Sequence, residues 1–426
     1  MNNIAQNINS VDYVKINENI CNGCVLCMNA CPTKAIRIKE GRVARIEGFC
    51  IDCGECIRVC PRGAVEQIIS ESDKPLENGF SAVSASTVLY SQFDDDVLPN
   101  DILLALRRMG FRLVHDQGYT NEMFNVAVEL HIKKKREESG ASWPMISPIC
   151  PVVVRLIAHR FPSLLKNIPP LITPSEIVAR EAKERLSAKY KCSQEDINVF
   201  HITPCAAKMI SLKEPVLQEN SYLDGAMGIV SIYQELKKNI YELDEDKVLH
   251  HSGGVGIGWG MSGGEIASMD LNCMAVSGLG ETIHYLEKIE MGLFQDVDYV
   301  EFRVCTEGCL GGPLAVTDKY QAKHQLQRLI RIFGIEKRIK YEYVKSLYEE
   351  GWFFTKKAAF PLEKSNTHSS ISDGIERHKR IDEILKMLPE KECGACGSPD
   401  CRTFAEDVYD KKVSMEMCVY LRDQMG

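Results

Sequence analysis

Between residues 80 and about 350 the apolar positions alternate between two periods. Stretches with apolar residues three and four apart predict helices near 101–109, 121–138, 231–242 and 280–291. Between them stand short runs rich in β-branched residues, "INVFHIT" (197–203), "CMAVSGL" (273–279) and "YVEFRVC" (299–305), which predict strands. The alternation predicts an α/β domain. One helix start is marked locally. In "TPSE" (173–176), Thr173 is placed as N-cap, Pro174 at the first helical position and Glu176 to close a capping box. Further on, "KSNTHSSISDG" (364–374) reads as a polar, serine-rich linker. Beyond it Ile381, Ile384, Leu385 and Leu388 share one helical face, which predicts a helix that packs a small terminal domain onto an apolar surface.

At 426 residues the chain has length for two to four domains, each with its own core. No apolar run approaches a membrane span, and the first residues lack the basic start and apolar run of a signal peptide, so a cytoplasmic location is expected. A net charge of −8 argues against nucleic acid as the main partner. The 18 cysteines are the outlying number. Without an export signal a disulfide framework is not expected, which leaves metal binding or catalysis.

Residues 21–32 read "CNGCVLCMNACP" and residues 50–61 read "CIDCGECIRVCP". Both are C-x2-C-x2-C-x3-C-P, the bacterial ferredoxin run in which the fourth cysteine ligates the other [4Fe–4S] cluster. The expected sets are Cys21, Cys24, Cys27 and Cys60 for one cluster, and Cys50, Cys53, Cys56 and Cys31 for the other. Gly23 and Gly54 are expected to let the backbone approach the sulfides. Zinc is the competing occupant, but it takes two cysteines per knuckle with a longer gap to the second pair.

At the other end, "ECGACGSPDC" (392–401) with Cys418 has the spacing C-x2-C-x4-C-x16-C. It resembles the small four-cysteine [4Fe–4S] domain of corrinoid iron–sulfur proteins and of some electron-transport subunits. The resemblance makes Cys393, Cys396, Cys401 and Cys418 the ligands. Four cysteines at such spacing also suit zinc.

Four more cysteines sit at or near predicted strand ends: Cys150 after "WPMISPI", Cys205 in "HITPCAAK", and Cys305 and Cys309 in "EFRVCTEGCLGG". In open α/β sheets ligands bind outside the carboxyl ends of strands, so these three segments are expected to converge. Cys192 and Cys273 have no partner spacing and read as buried structural thiols.

In order and content the three segments resemble the cysteine motifs of the [FeFe]-hydrogenase catalytic domain. "SPICP" stands for Thr-Ser-Cys-Cys-Pro, "TPCAAK" for Met-Pro-Cys-x-x-Lys, and "EFRVCTEGCLGG" for Glu-x-Met-x-Cys-x-x-Gly-Cys. "WPM", "ITPSE" and "GWGMSGGEIASM" also look like family landmarks, and the likeness covers roughly residues 15–335. It implies two parallel-sheet α/β lobes, preceded by an α+β ferredoxin-like domain and followed by a small helical cluster domain. It implies an H-cluster, a [4Fe–4S] cube held by Cys150, Cys205, Cys305 and Cys309, with Cys309 bridging to a two-iron unit. Lys208 falls where the family lysine bonds a cyanide ligand. Ile149 stands in place of the cysteine that passes protons, and Thr203 and Arg303 stand where fast enzymes carry methionines. If Arg303 points inward, its charge is expected to raise the cluster's reduction potential.

These departures resemble the sensory branches of the family. They imply a slow or regulatory hydrogenase that reacts with dihydrogen and protons. Its accessory clusters would report to a redox or signalling partner, with the C-terminal domain as the contact, and maturation proteins would insert the two-iron unit. The expected division is 1–75 for the two-cluster domain, 80–350 for the H-cluster domain, 351–380 for linker and helix, and 381–426 for the last cluster domain. Two other readings stand beside this one. A protein of the cluster-assembly type would carry cubanes alone on the same scaffold. A nucleotide enzyme finds only the literal G-x-G-x-x-G of "GWGMSG" (258–263), with no convincing strand before it.

Overall fold

A computed structural model describes residues 14–39, 42–67, 80–138, 140–240, 247–356 and 371–425. The chain divides into two units, Met1–Ile68 together with Glu363–Gly426, and Ile69–Leu362. The first thus joins the two ends of the chain.

In that unit β1 (Val14–Ile16) pairs antiparallel with β4 (Val65–Gln67), while β2 (Ile36–Lys39) and β3 (Val43–Ile46) form an antiparallel hairpin. Val14, Met28, Ile36, Ala44 and Val65 bury a small core with Cys27 and Cys56. Gly23 and Gly54 both take positive φ, 66° and 75°. For Gly23 the structure gives a reason other than sulfide approach: a Cβ there would lie 2.3 Å from the Arg42 carbonyl oxygen. The C-terminal part of the unit is helical, with helices Ile371–Lys386, Cys401–Tyr409 and Val419–Met425. As the periodicity predicts, Ile381 and Leu388 are buried, and they pack with Phe404, Ala405 and Cys418 inside this part. Residues 364–370 of the expected linker lie outside the described residues, and 371–374 are already helical.

The second unit holds two parallel sheets. Strands β5 (Ser81–Ala85), β6 (Leu113–Asp116), β8 (Asn198–Thr203) and β9 (Gly225–Gly228) form one in the order β6-β5-β8-β9. Strands β7 (Met145–Ile146), β10 (Cys273–Ser277) and β11 (Tyr299–Arg303) form the other in the order β10-β11-β7. Every residue of β5 and β11 is buried, as befits parallel strands covered on both faces. The four expected helices are Pro99–Arg108, Gln117–Glu137, Ile229–Ile240 and Leu279–Glu290. The second begins earliest relative to expectation because Asp116 caps it, accepting from the Gly118 amide at 3.1 Å.

The helix Pro174–Tyr190 starts where "TPSE" places it, with Thr173 as N-cap, but the capping box is not made. Glu176 turns to tertiary donors instead, accepting from Ser221 Oγ at 2.6 Å and the Tyr222 amide at 2.8 Å. A buried carboxylate with two such donors has no reason to reach back to its own cap. Cys192 and Cys273 are half-buried at the margins of two apolar clusters rather than inside them. Among the described residues no helix is long and apolar enough to cross a membrane.

Candidate metal centres

In the first unit two small cavities are each lined by four cysteines. Cys21, Cys24, Cys27 and Cys60 surround about 320 Å³ of empty space. Cys31, Cys50, Cys53 and Cys56 surround about 350 Å³. The fourth cysteine of each run has crossed to the other cavity. The crossing follows from the fold, because each run turns into a short helix, Leu26–Ala30 or Glu55–Arg58, and leaves its last cysteine beyond the helix end. Burial pushes Cys27 up to about 11 and Cys56 up to about 12, with neighbouring thiols adding to both. At Cys60 burial also acts upward, but backbone amides from Arg62 to Val65 outweigh it and lower its pKa. Thiols raised like Cys27 and Cys56 become thiolates only when cations enter. Among the described residues, no three His, Cys, Asp or Glu side chains converge on a point fit for a single ion; these sulfurs ring a void.

At the C-terminal end Cys393 and Cys418 lie close enough to Cys396 to push its pKa up, with burial the larger cause. Cys401, Cys396 and Cys418 belong to one apolar cluster, and Cys393 is exposed.

In the second unit the three middle segments do meet. β7, β8 and β11 run parallel within their sheets, and Cys150, Cys205, Cys305 and Cys309 all lie beyond their carboxyl ends. The Val304 amide bonds the Cys150 thiol, which burial pushes upward. Burial, then Cys150 and also Cys309, push Cys205 up to about 11, against the Lys208 amide and charge. The loop carrying Cys309 is threaded tightly. The Cys309 amide donates to Gly260 at 2.8 Å, and the Leu314 amide donates to Pro204 at 2.9 Å. A Cβ on Gly312 would lie 2.4 Å from the Pro204 oxygen. Thr203 is fully buried and accepts from the Cys205 amide at 3.2 Å.

Arg303 points inward and is among the largest fully buried side chains. It does not act as a bare charge. Its Nη2 donates to Glu265 at 2.7 Å, its Nε lies 3.4 Å from Glu301, and its guanidinium stands 5.0 Å over the Trp259 ring. Burial opposes its charge, but Glu265, Glu301, Cys309 and Cys150 more than offset that and keep it protonated. Burial raises Glu301, Arg303 opposes, and Glu265 adds to the rise. The expected rise in cluster potential from Arg303 is therefore countered by the Glu265 carboxylate, while Glu301, pushed up to about 7, is only partly charged near neutral pH. Glu265 was only part of a landmark stretch in the sequence, yet it joins the segments. It accepts from Arg303, from Tyr299 at 2.6 Å and from Ser147 at 2.9 Å, and Ser147 Oγ in turn accepts from the Ile149 amide at 3.3 Å. No local signal marks such a hub.

Beside this centre a cleft holds about 720 Å³ of atom-free space, lined among others by Ile149, Lys208, His201 and Glu176. His201 went unnoticed in the sequence, where a histidine inside a buried strand was its only mark. Its Nδ1 lies 2.9 Å from Ser84 Oγ, while Nε2 has no hydrogen-bond partner. Burial, then Lys208, depress its pKa, so it is neutral. Arg303 Nη1, by contrast, is a buried donor without a partner, next to Cys150 and Cys309. Buried donors of this kind need an acceptor, and sulfide or an anionic metal ligand is one. The residues present thus fit an iron–sulfur group here.

Residues 81–270 match the family model for the iron only hydrogenase large subunit, C-terminal domain. Residues 13–61 match a 4Fe-4S dicluster domain, and residues 388–420 match an Fe-S cluster model. The NADP-reducing hydrogenase subunit HndD of Solidesulfovibrio fructosivorans is 25% identical over 213 residues, 46% of this chain and 36% of that protein. The periplasmic [Fe] hydrogenase large subunit of Nitratidesulfovibrio vulgaris is 24% identical over 228 residues, 50% of this chain and 54% of that one. The matched part of the chain thus spans about a third to a half of these relatives. The solved [FeFe]-hydrogenase HydA1 of Chlamydomonas reinhardtii has the same fold, with a TM-score of 0.54 at 16% identity over 69% of this chain and 97% of that one. The large-subunit match over residues 81–270, with the dicluster match before it and the Fe-S cluster match after it, supports an iron–sulfur protein of the [FeFe]-hydrogenase family.

Proposed function

We propose that the middle domain is a slow or sensory hydrogenase whose accessory clusters carry its electrons. The observation that carries this reading is the cleft, which has Lys208 and Ile149 on its wall and lies next to converging cysteines from three strand ends. Cys150, Cys205, Cys305 and Cys309 hold a [4Fe–4S] cube, and a two-iron unit occupies the cleft beside Lys208. When bound, that unit supplies the place where dihydrogen is taken to two protons and two electrons, or formed from them. Lys208 offers charged hydrogen bonds to an anionic ligand in the cleft. Arg303, held by Glu265 and Glu301, aims a donor at the cube. Ile149 fills the wall with an apolar group that neither gives nor takes a proton, so the step that needs such a group is slow. Cys21, Cys24, Cys27 and Cys60, the crossed set with Cys31, and the C-terminal set of Cys393, Cys396, Cys401 and Cys418 hold one [4Fe–4S] cluster each.

Infrared spectroscopy on protein matured with the two-iron cofactor tests this. Carbonyl and cyanide bands that shift under dihydrogen are expected, and Ile149→Cys should then raise turnover, by about 10²–10⁴-fold for a restored acid–base group. Absent bands, with iron sufficient only for cubanes, would leave an electron-transfer or assembly protein on this scaffold.

A further inference from the structure

Within the first unit the two ends of the chain touch at their cysteine loops. The Ile38 amide donates to the Gly397 carbonyl at 2.8 Å. Gly397 directly follows Cys396. Ile38 in turn lines the cavity of Cys21, Cys24, Cys27 and Cys60. One hydrogen bond therefore links the backbone beside a cysteine of the third set to the wall of the first cavity.

The approach is enforced by backbone shape. Gly397 has φ +89°, and a Cβ on it would lie 2.2 Å from the Ile38 carbonyl oxygen. No side chain fits there. Gly394, between Cys393 and Cys396, has φ +68°, and its Cβ would lie 3.0 Å from the end of Met28, the residue after Cys27. Beside this seam Arg37 and Asp407 form a two-pronged pair, Nε to Oδ2 at 2.5 Å and Nη2 to Oδ1 at 3.3 Å. They are 9% and 4% exposed. Ser398 Oγ donates to the same carboxylate at 3.2 Å, and Lys34 pairs with Asp400. A buried two-pronged pair fixes both position and orientation, because each bond constrains the other. The C-terminal domain is seated, not tethered.

We propose that the C-terminal four-cysteine site is a fixed one-electron station joined to the cluster of Cys21, Cys24, Cys27 and Cys60 through the Gly397–Ile38 contact. This rests on reading those two cysteine sets as [4Fe–4S] sites and does not depend on the two-iron unit. In the step, a reduced cluster loses one electron and its oxidised neighbour gains it; no bond forms or breaks and no proton moves. Tunnelling is more effective through bonded and hydrogen-bonded atoms than across a gap, which makes this seam the route. The clusters of the first unit then form a chain of three, entered or left at either end by a one-electron carrier.

The test is electron paramagnetic resonance on the full chain, reconstituted with iron and sulfide and reduced with dithionite. The signal of the C-terminal cluster is identified by its loss in a Cys393→Ala/Cys418→Ala variant. In the native protein that signal should be split by its neighbour. In Gly397→Ala it should collapse to the simple pattern of an isolated cluster, at unchanged iron content. Since Gly397→Ala strains the cysteine loop itself, Arg37→Met serves as the second variant, loosening the seat from the other side. An unsplit native signal overturns the proposal, as does splitting that survives both substitutions. Zinc in place of iron at the C-terminal site overturns it too, and leaves the hydrogenase reading of the middle domain untouched.

Discussion

Arg303 shows how far a residue's type can be read without its surroundings. The sequence places an arginine two positions before a cysteine, and a permanent charge follows from that alone. What the charge does depends on Glu265 and Glu301, which lie at 2.7 and 3.4 Å. Removing one partner of a buried ion pair costs about 3–5 kcal/mol, because the other is left charged and unpaired. Arg303→Met should therefore lower unfolding stability by about that amount in chemical denaturation, and adding Glu265→Gln should recover part of it. Equal stability of native protein and Arg303→Met would show that the pair contributes nothing. Lys208 and the cysteines were legible because their spacing is itself the signal. His201 and Glu265 were not, since each acts through neighbours far away in sequence.

Strands and helices were the most legible level. β8, β10 and β11 fall within the runs rich in branched residues, and the helices stand within a few residues of their periodic stretches. Cap details were less so, because Glu176 could satisfy itself locally or in the tertiary structure, and only the fold decides. A similar tertiary choice governs His131 in the helix Gln117–Glu137. Its Nδ1 lies 3.2 Å from the Tyr348 hydroxyl, in the helix Tyr341–Glu349, and burial depresses its pKa to about 4, aided by Lys135. The unfolded chain takes up this proton near pH 6.5, the folded one only near 4. Stability from this group is thus whole above about pH 6.5 and falls as pH drops toward 4, at up to about 1.4 kcal/mol per pH unit. The melting temperature of the native protein should fall more between pH 7.5 and 5.5 than that of His131→Gln. An equal fall in both would rule this histidine out as a source.

For the whole molecule, the sequence reads as separate cluster domains at the two ends, with a serine-rich linker before the last one, that domain packed onto an unspecified apolar surface and serving as the contact for a partner. The structure seats that domain on the two-cluster domain. Arg37 finds Asp407 across 370 positions of sequence, and no local pattern announces a pairing of that range. Deleting residues 371–426 should accordingly do more than remove one cluster. It leaves Arg37 without its carboxylate and uncovers Met28 and Ile38, so the N-terminal clusters should lose iron faster under a chelator. Unchanged iron retention would mean that the seat adds nothing to that domain.

Joining the two ends also sets a clock on biosynthesis. Arg37 leaves the ribosome long before Asp407 exists. At about 5–20 residues per second the interval is roughly 20–70 s. Throughout that time the newborn two-cluster domain must keep its half of the seam covered by something else, a chaperone or its own collapsed chain. Helices made only after the middle domain close a domain begun before it.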